Sequence, residues 1–315
     1  MDRPKPTCSR RWLRLDISHV RDRGPLALLA AAIVVAACAP GRATSGADDS
    51  LQVVATTTVF ADIVAHVGGD RVTVRSIIPA GVGPEDYEPK PDDARALDGA
   101  DLVVSNGVGL DEFLDGLIEA NGNDAPRLVL GDGVPTITVD GQPNPHFWLD
   151  PTIVSSHYVP AIEAKLSEID PAGATTYRAN AAAYAAEIGA MDAELTTQAE
   201  TIPTADRKLV TFHDAFPYFA RHYGFELVGV ILGSPGQEPS AGELAALIDT
   251  VRAAGVKAVF SEAQFSPALA ETLAREAGVA KVITTLYNDA LGPAPADTYL
   301  GMMRWNMSRI VEALR

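Results

Sequence analysis

The sequence predicts an α/β fold made of two mainly parallel-sheet lobes joined by one long, rigid helix. Short β-branched runs alternate with helical patterns toward both ends of the chain, which is typical of parallel sheets covered by helices. Between them, from Pro171 to about Ala199, the chain is rich in alanine and has apolar residues at helical spacing. Nearly half of the 315 residues are apolar (47%), which is enough to build a core in each lobe.

Charge and cysteine content exclude several kinds of site. The formal net charge is −16, and the chain has no basic block that would pair with phosphates, so we expect no binding to nucleic acid. The two cysteines, Cys8 and Cys38, both precede the predicted fold. The folded part therefore has no disulfide and no thiolate metal site, and a metal bound there must be held by nitrogen and oxygen.

Residues 1–37 are predicted to be a signal peptide. Pro25–Cys38 reads PLALLAAAIVVAAC, an apolar run too short to span a bilayer, with small residues before a cysteine at its end. This ending resembles a bacterial lipoprotein processing site, so we expect cleavage before Cys38 and lipidation of its thiol; a plain secretory signal is the alternative. Ser9–Leu15 (SRRWLRL) has a twin-arginine pattern, but its distance from the apolar run favours a later translation start, near Val20.

Residues 38–50 are predicted to be the lipidated cysteine and a flexible tether of small and polar residues. The N-terminal lobe is predicted at residues 51–170. Asp150-Pro151 and Asp170-Pro171 each place a capping carboxylate before a proline and predict helix starts. The predicted strands read LQVVATT, RVTVRSII, DLVVSNG, RLVLGDG and TITV, and the predicted helices read VFADIVAHVGG, PDDARALDGA and DEFLDGLIEANG.

The connecting helix is predicted at residues 171–201, and a length of about 42 Å makes it a rigid connector. The spacing of its large apolar residues predicts its buried face, made of Tyr177, Tyr184, Ile188, Met191 and Leu195. The C-terminal lobe, residues 202–315, resumes the alternation. Its predicted strands read LVTF, ELVGVI, VKAVFSE and KVITTLY, and its helices read AFPYFARHYG, SAGELAALIDTVRAAG, SPALAETLAREAG and ADTYLGMMRWNMSRIVEALR.

Metal-competent side chains follow predicted strands in both lobes, where open α/β sheets bind their ligands. They are Glu85 in GVGPEDYEPKPDD, His146 in NPHFWLDP, His213 in TFHDAF, Glu262 in VKAVFSE and Asp289 in YNDALG. Two imidazoles and two carboxylates gathered in a cleft between the lobes would suit Zn²⁺, Mn²⁺ or Fe²⁺. The spacing alone leaves ordinary surface or packing roles open, because the chain has no HExxH motif and no cysteine pair.

Several longer segments occur in a characteristic order. They read YEPKPDDARALDGADLVVSNGVGLDEFL, NPHFWLDP, TFHDAFPYFARHYGFELVGV, EPSAGELAALI, AVFSEAQFSP and LYNDALG. Together they resemble the metal-binding substrate-binding proteins of zinc and manganese ABC importers, over residues 51–315. The resemblance implies a metal between the lobes, held in part by His146, His213 and Asp289, whereas Glu262 matches a position that is usually not a ligand. It also implies a lipid-anchored monomer, extracytoplasmic at the bacterial cell membrane, whose partners are a permease and its ATPase.

The chain departs from the family pattern in its first loop, where Pro84 is followed by Glu85 rather than by histidine. Glu85 is therefore the predicted first ligand, with Asp86 as the alternative. A second carboxylate suits Mn²⁺ or Fe²⁺, but His213 stands where manganese members tend to have a carboxylate, and intrinsic affinity favours Zn²⁺ over Mn²⁺. We expect Zn²⁺, with Mn²⁺ as the alternative.

Two other classes of protein stay open at this point. A metal-dependent hydrolase needs three protein ligands, an open water position and a general base, for which Glu262 is available. Four candidate ligands would close the shell, so we expect a binding protein rather than an enzyme. A surface adhesin or a metal chaperone on the same scaffold is the second alternative.

Overall fold

Parallel β-strands covered by helices make up the described part of the chain. The computed structural model describes residues 50–84, 87–122, 124–139, 141–233 and 239–315. Its strands are β1 (Leu51–Ala55), β2 (Val72–Ser76), β3 (Leu102–Ser105), β4 (Arg127–Val129), β5 (Thr138–Val139), β6 (Gln142–Pro143), β7 (Lys208–His213), β8 (Glu226–Leu232), β9 (Ala258–Glu262) and β10 (Lys281–Leu286).

The sheets confirm the predicted fold class. The N-terminal sheet has the order β2-β1-β3-β4, and all its neighbouring strands are parallel. The C-terminal strands form two parallel pairs, β7-β8 and β9-β10, and β7 lies beside β9. Because all these strands run parallel within their sheets, their carboxyl ends meet at common edges, where polar side chains can converge.

Helices connect and cover the strands. They are α1 (Thr58–Gly68), α2 (Pro91–Leu97), α3 (Phe113–Asn121), α4 (Pro151–Ile153), α5 (Val159–Ile169), α6 (Ala174–Glu200), α7 (Pro217–Tyr223), α8 (Ala241–Ala254), α9 (Ala268–Ala277) and α10 (Tyr299–Leu314). A π-helical stretch, Val154–Tyr158, joins α4 to α5. Within the described ranges, none of these helices is both long and apolar enough to cross a membrane.

Local sequence accounts for several helix ends. A capping box begins α8, because the Ser240 hydroxyl accepts from Glu243 N and the Glu243 carboxylate accepts from Ser240 N. The helix ends at Gly255, whose φ of 64° is left-handed and readily adopted by glycine. The predicted start at Asp150-Pro151 is confirmed as well, since the Asp150 carboxylate accepts from Thr152 N.

The long helix α6 has 27 residues, and every large apolar residue predicted for its inner face is buried. It packs against α1, α5 and α10. It begins at Ala174 and not at the predicted Asp170-Pro171, because residues 171–173 form a turn first. Asp170 stabilises this turn region, since its Oδ2 accepts from Arg71 Nε at 2.8 Å and from the Tyr177 hydroxyl at 2.7 Å. The helix therefore connects the two groups of sheets as a continuous packed element.

One hydrophobic cluster extends from the N-terminal sheet across α6 to α10. It contains Phe60, Trp148, Tyr158, Met191 and Tyr299, which are all fully buried or nearly so. Residues Asp48–Arg315 accordingly form one compact unit, and the predicted lobe boundaries near residues 170 and 202 stay a prediction. A shared core limits relative motion of the two sides, because separating them would expose apolar surface to water.

One predicted strand differs from the observed structure. TITV, residues 136–139, was expected to belong to the parallel sheet, but only Thr138–Val139 forms a strand, and it pairs antiparallel with Gln142–Pro143. The reason is local, because Gly141 has a φ of 80° and turns the chain back at once. His146 consequently lies beyond a short hairpin rather than at the end of a sheet strand.

Candidate metal site

His146 is held by its own segment, which follows the β5–β6 hairpin. Its backbone N–H donates to the side-chain oxygen of Asn144 at 3.1 Å, and its Nδ1 lies 3.1 Å from the same oxygen. Asn144 is fixed in turn, because its amide nitrogen donates to the Asp214 carbonyl at 2.6 Å and its carbonyl accepts from the Tyr218 hydroxyl at 2.9 Å. These contacts tie the His146 segment to the chain that follows β7.

His213 and Asp289 come from neighbouring strand ends. His213 is the last residue of β7, Glu262 is the last residue of β9, and Asp289 follows β10 closely. Because β7 lies beside β9 and β9 pairs with β10, these three side chains meet at one edge. These side chains therefore lie together beyond the carboxyl ends of their strands, as the sequence predicted.

Three of the four predicted ligands meet in the structure. One ligand-type atom from each of His146, His213 and Asp289 lies within 4.8 Å of the others. Asp289 Oδ1 is 3.4 Å from His146 Nε2, and Asp289 Oδ2 is 3.4 Å from His213 Nε2. The histidines are 3% exposed and Asp289 is 0% exposed, so these polar groups are nearly sealed from solvent. Two imidazoles and a carboxylate at such separations form a nitrogen and oxygen set that suits a divalent transition metal.

Glu85, its alternative Asp86 and the lipidation candidate Cys38 lie outside the described residues. The described residues just before Glu85 do border the cluster. A Cβ atom added at Gly83 would lie 3.6 Å from Asp289 Oδ2. Gly83 therefore lies beside the carboxylate of Asp289.

The charge state of Asp289 suits metal binding. Burial by itself raises the pKa of this carboxyl. The adjacent His213 and His146 side chains lower it by more than burial raises it, so the pKa lies below its ordinary value. The carboxylate is therefore charged at neutral pH. The side-chain amide nitrogen of Asn288 lies 3.0 Å from His213 Nε2, so a metal binding at that nitrogen would displace the amide.

Glu262 faces the other ring nitrogen of His213, with Oε1 3.3 Å from Nδ1. It is completely buried, and burial raises its pKa above the ordinary value, partly offset by His213. A carboxylate against the second nitrogen of a metal-binding histidine orients the ring and sets its tautomer. This position supports the expectation that Glu262 is not a ligand.

Sequence reasoning missed three side chains that organise the cluster: Trp148, Gln264 and Asn288. The indole Nε1 of Trp148 donates to the Asn288 carbonyl at 2.7 Å, and its ring packs 5.2 Å from that of His146. Gln264 Nε2 donates to Asp289 Oδ2 at 2.7 Å. Each lies within two residues of a metal-competent side chain that follows a predicted strand. That proximity in the sequence is the signal by which they could have been found.

A cavity of about 620 Å³ leads to both histidines. Its walls include residues of the β5–β6 hairpin, the end of β8, Gly109, Leu110 and Leu244. The imidazoles can therefore be reached from the surface while remaining almost fully buried.

Comparison with known proteins gives a consistent family. The family model "Zinc-uptake complex component A periplasmic" matches residues 53–313. The manganese-binding lipoprotein MntA of Halalkalibacterium halodurans is 33% identical over 91% of this chain and 96% of its own length. The iron-binding protein YfeA of Yersinia pestis is 34% identical over 83% of this chain and 85% of its own length.

Solved structures agree with these relatives. The periplasmic zinc-binding protein TroA of Treponema pallidum superimposes with a TM-score of 0.78 at 27% identity, covering 84% of this chain and 99% of that one. An Mn-bound periplasmic metal-binding protein of Candidatus Liberibacter asiaticus superimposes with a TM-score of 0.75 at 28% identity, covering 84% and 100%. The resemblance inferred from the motifs is confirmed. The chain belongs to the ZnuA family of periplasmic metal-binding proteins, the substrate-binding components of ABC metal importers, and it is not an enzyme.

Proposed function

We propose that the chain captures one Zn²⁺ ion outside the cytoplasm and delivers it to the permease of an ABC importer. The ion would be held by His146, His213 and Asp289, with Glu85 as the fourth ligand and Asp86 as its alternative. The observation that carries this proposal is the convergence of three buried ligand-type atoms within 4.8 Å of one another. The position of Gly83 beside Asp289 supports a fourth ligand from the loop that follows it.

The donor set supports zinc by its chemistry. Two imidazoles with one or two carboxylates suit a four-coordinate Zn²⁺ ion, and intrinsic affinity for such sites is higher for Zn²⁺ than for Mn²⁺ or Fe²⁺. Two anionic ligands would neutralise the charge of the ion, which suits a site shielded from water.

Manganese or iron is the second candidate cargo. Relatives with about one third identity are named for manganese and for iron, whereas TroA is named for zinc. A carboxylate from Glu85 would also allow more than four oxygen and nitrogen contacts, which Mn²⁺ and Fe²⁺ accept readily. The choice among these metals depends on how the carboxylates bind.

Calorimetric titration of the soluble chain from residue 39 onward tests the capture step. We expect affinity for Zn²⁺ in the submicromolar range, and large losses in His146→Ala, His213→Ala and Asp289→Ala. Glu85→Ala and Asp86→Ala, measured side by side, identify which of them is the ligand. His66→Ala on the surface of α1 is the matched control and should bind like the parent. Zinc binding no tighter than micromolar in the parent chain would contradict the proposal.

Delivery is proposed to occur from the membrane surface, with Cys38 lipidated and the following residues acting as a tether for a monomeric protein. Sequencing and mass analysis of the mature N-terminus check the anchor. We expect a lipid-modified residue 38 and membrane association that Cys38→Ser abolishes. Uptake of radioactive zinc should require this chain together with a permease and its ATPase. Uptake that proceeds equally well without the chain would argue against a role in import.

A further inference from the structure

The side chain of Gln264 touches the carboxylate at the centre of the candidate metal site. Gln264 follows the last residue of β9 by two positions, in a turn where Phe265 N donates to the Glu262 carbonyl at 3.1 Å. Ala263 N donates to the Leu286 carbonyl at 2.9 Å and ties the same turn to β10. The backbone that carries Gln264 is therefore held against the segment that carries Asp289.

The two oxygens of Asp289 have different surroundings. Oδ2 accepts a hydrogen bond of 2.7 Å from Gln264 Nε2 and lies 3.4 Å from His213 Nε2, whereas Oδ1 is buried and faces His146 Nε2 at 3.4 Å. An oxygen that already accepts a charge-assisted hydrogen bond has less electron density to offer a cation, and the bond fixes the plane of the carboxylate. Because Gln264 donates to Oδ2, Oδ1 is the oxygen that we expect to bind a metal.

The amide of Gln264 also lies beside Gly83. A Cβ atom added at Gly83 would lie 3.1 Å from Gln264 Nε2. Gln264 is half-buried. Turning Oδ2 away to bind a metal through both oxygens would leave this amide nitrogen without the acceptor that it has now.

We propose that Gln264 is a specificity-determining residue, which holds the Asp289 carboxylate in a monodentate position and thereby favours Zn²⁺ over Mn²⁺. Monodentate binding keeps the coordination number low, which suits the tetrahedral preference of Zn²⁺. Mn²⁺ gains from additional oxygen contacts, so a carboxylate that is free to bind through both oxygens favours it in comparison. The inference rests on the proposed role of Asp289 as a ligand.

Gln264→Met tests this inference, because methionine keeps the length of the side chain and removes the donor. We expect the ratio of Zn²⁺ to Mn²⁺ affinity to fall about tenfold, the equivalent of one lost hydrogen bond of ordinary strength. Bound Co²⁺ gives a second readout, since its visible absorption weakens as the coordination number rises above four. We expect weaker absorption per bound Co²⁺ in the variant than in the parent.

Gln198→Met is the matched control, because Gln198 Nε2 also donates to a carboxylate, Glu194 Oε1, at 3.0 Å, but on the exposed face of α6. It should leave the affinity ratio unchanged. In an Asp289→Asn background, Gln264→Met should no longer change the ratio, because the carboxylate on which it acts is gone.

The possible results separate the two proposals. If Zn²⁺ and Mn²⁺ affinities fall by the same factor in Gln264→Met, or if neither changes, the selectivity role is refuted while metal capture stands. If the parent chain binds neither metal, the proposed function fails, and the role of Gln264 fails with it. A ratio that still changes in the Asp289→Asn background would also refute the proposal, because Gln264 would then act by another route.

Discussion

Trp148 offers the sharpest test of how the fold positions the candidate ligands. Its ring is completely buried and packs edge-on against Phe60, with ring centroids 5.1 Å apart. Its indole Nε1 donates to the Asn288 carbonyl, next to Asp289, while its own carbonyl accepts from the Tyr299 hydroxyl at 2.9 Å. The residue therefore links the segment of His146 to the segment of Asp289.

Trp148→Phe removes the indole donor and leaves the Asn288 carbonyl buried without one. An unsatisfied buried acceptor costs about 1–3 kcal/mol. The smaller ring also leaves a void next to Phe60, which adds about 1 kcal/mol. We expect the free energy of unfolding to fall by about 3 kcal/mol, measured by urea denaturation without metal. The affinity for Zn²⁺ should fall about tenfold, as when a contact that orients a metal ligand is lost.

Trp305→Phe is the matched control for this prediction. Its indole also donates to a backbone carbonyl at 2.7 Å, that of Thr285, but at an exposed site where water can replace the donor. We expect a loss below about 1 kcal/mol and unchanged zinc affinity. Equal effects of the two substitutions on unfolding would refute the reasoning, because the burial of the acceptor would then be irrelevant. Loss of stability in Trp148→Phe without loss of zinc affinity would refute the positioning role alone.

Two further predictions concern carboxylates outside the proposed ligand set. Glu262→Gln keeps the shape but replaces the carboxyl group beside His213 Nδ1, and titration should show zinc affinity lowered about tenfold to a hundredfold. Unchanged affinity would contradict its orienting role. Asp170→Asn should lower the free energy of unfolding by about 1 kcal/mol at pH 7, because the hydrogen bond from the Tyr177 hydroxyl to the carboxylate is weakened. That hydrogen bond, with the one from Arg71, holds the pKa of Asp170 below its ordinary 3.8. The difference in free energy of unfolding between parent and variant should therefore be complete above pH 3.8 and disappear as the pH falls through the folded-state pKa. Urea titrations across this range check the sign, and a difference that grows toward low pH would be inconsistent with it.

Much of the architecture could be predicted because the signals are local. The alternation of β-branched and helical runs predicts parallel sheets, and Ser240 with Glu243 predicts the start of α8 from four consecutive positions. TITV was assigned wrongly because a β-branched run looks the same whether it enters a parallel sheet or turns back at once. Only the left-handed Gly141 distinguishes the two, and glycine occurs in many other settings.

The chemical type of the site was determined by the sequence alone. No cysteine follows residue 38, so a metal must be bound by nitrogen and oxygen, and the histidines and acids placed after predicted strands are the candidates. Tertiary structure decided which of them meet. His146, His213 and Asp289 are far apart in the chain. The adjacency of β7, β9 and β10, the contacts of Asn144 and the link through Trp148 bring them within 4.8 Å. The contacts of Glu262 with His213 and of Gln264 with Asp289 are likewise seen only in three dimensions, because a hydrogen bond or ion pair depends on which atom a side chain faces, and residue order does not contain that direction.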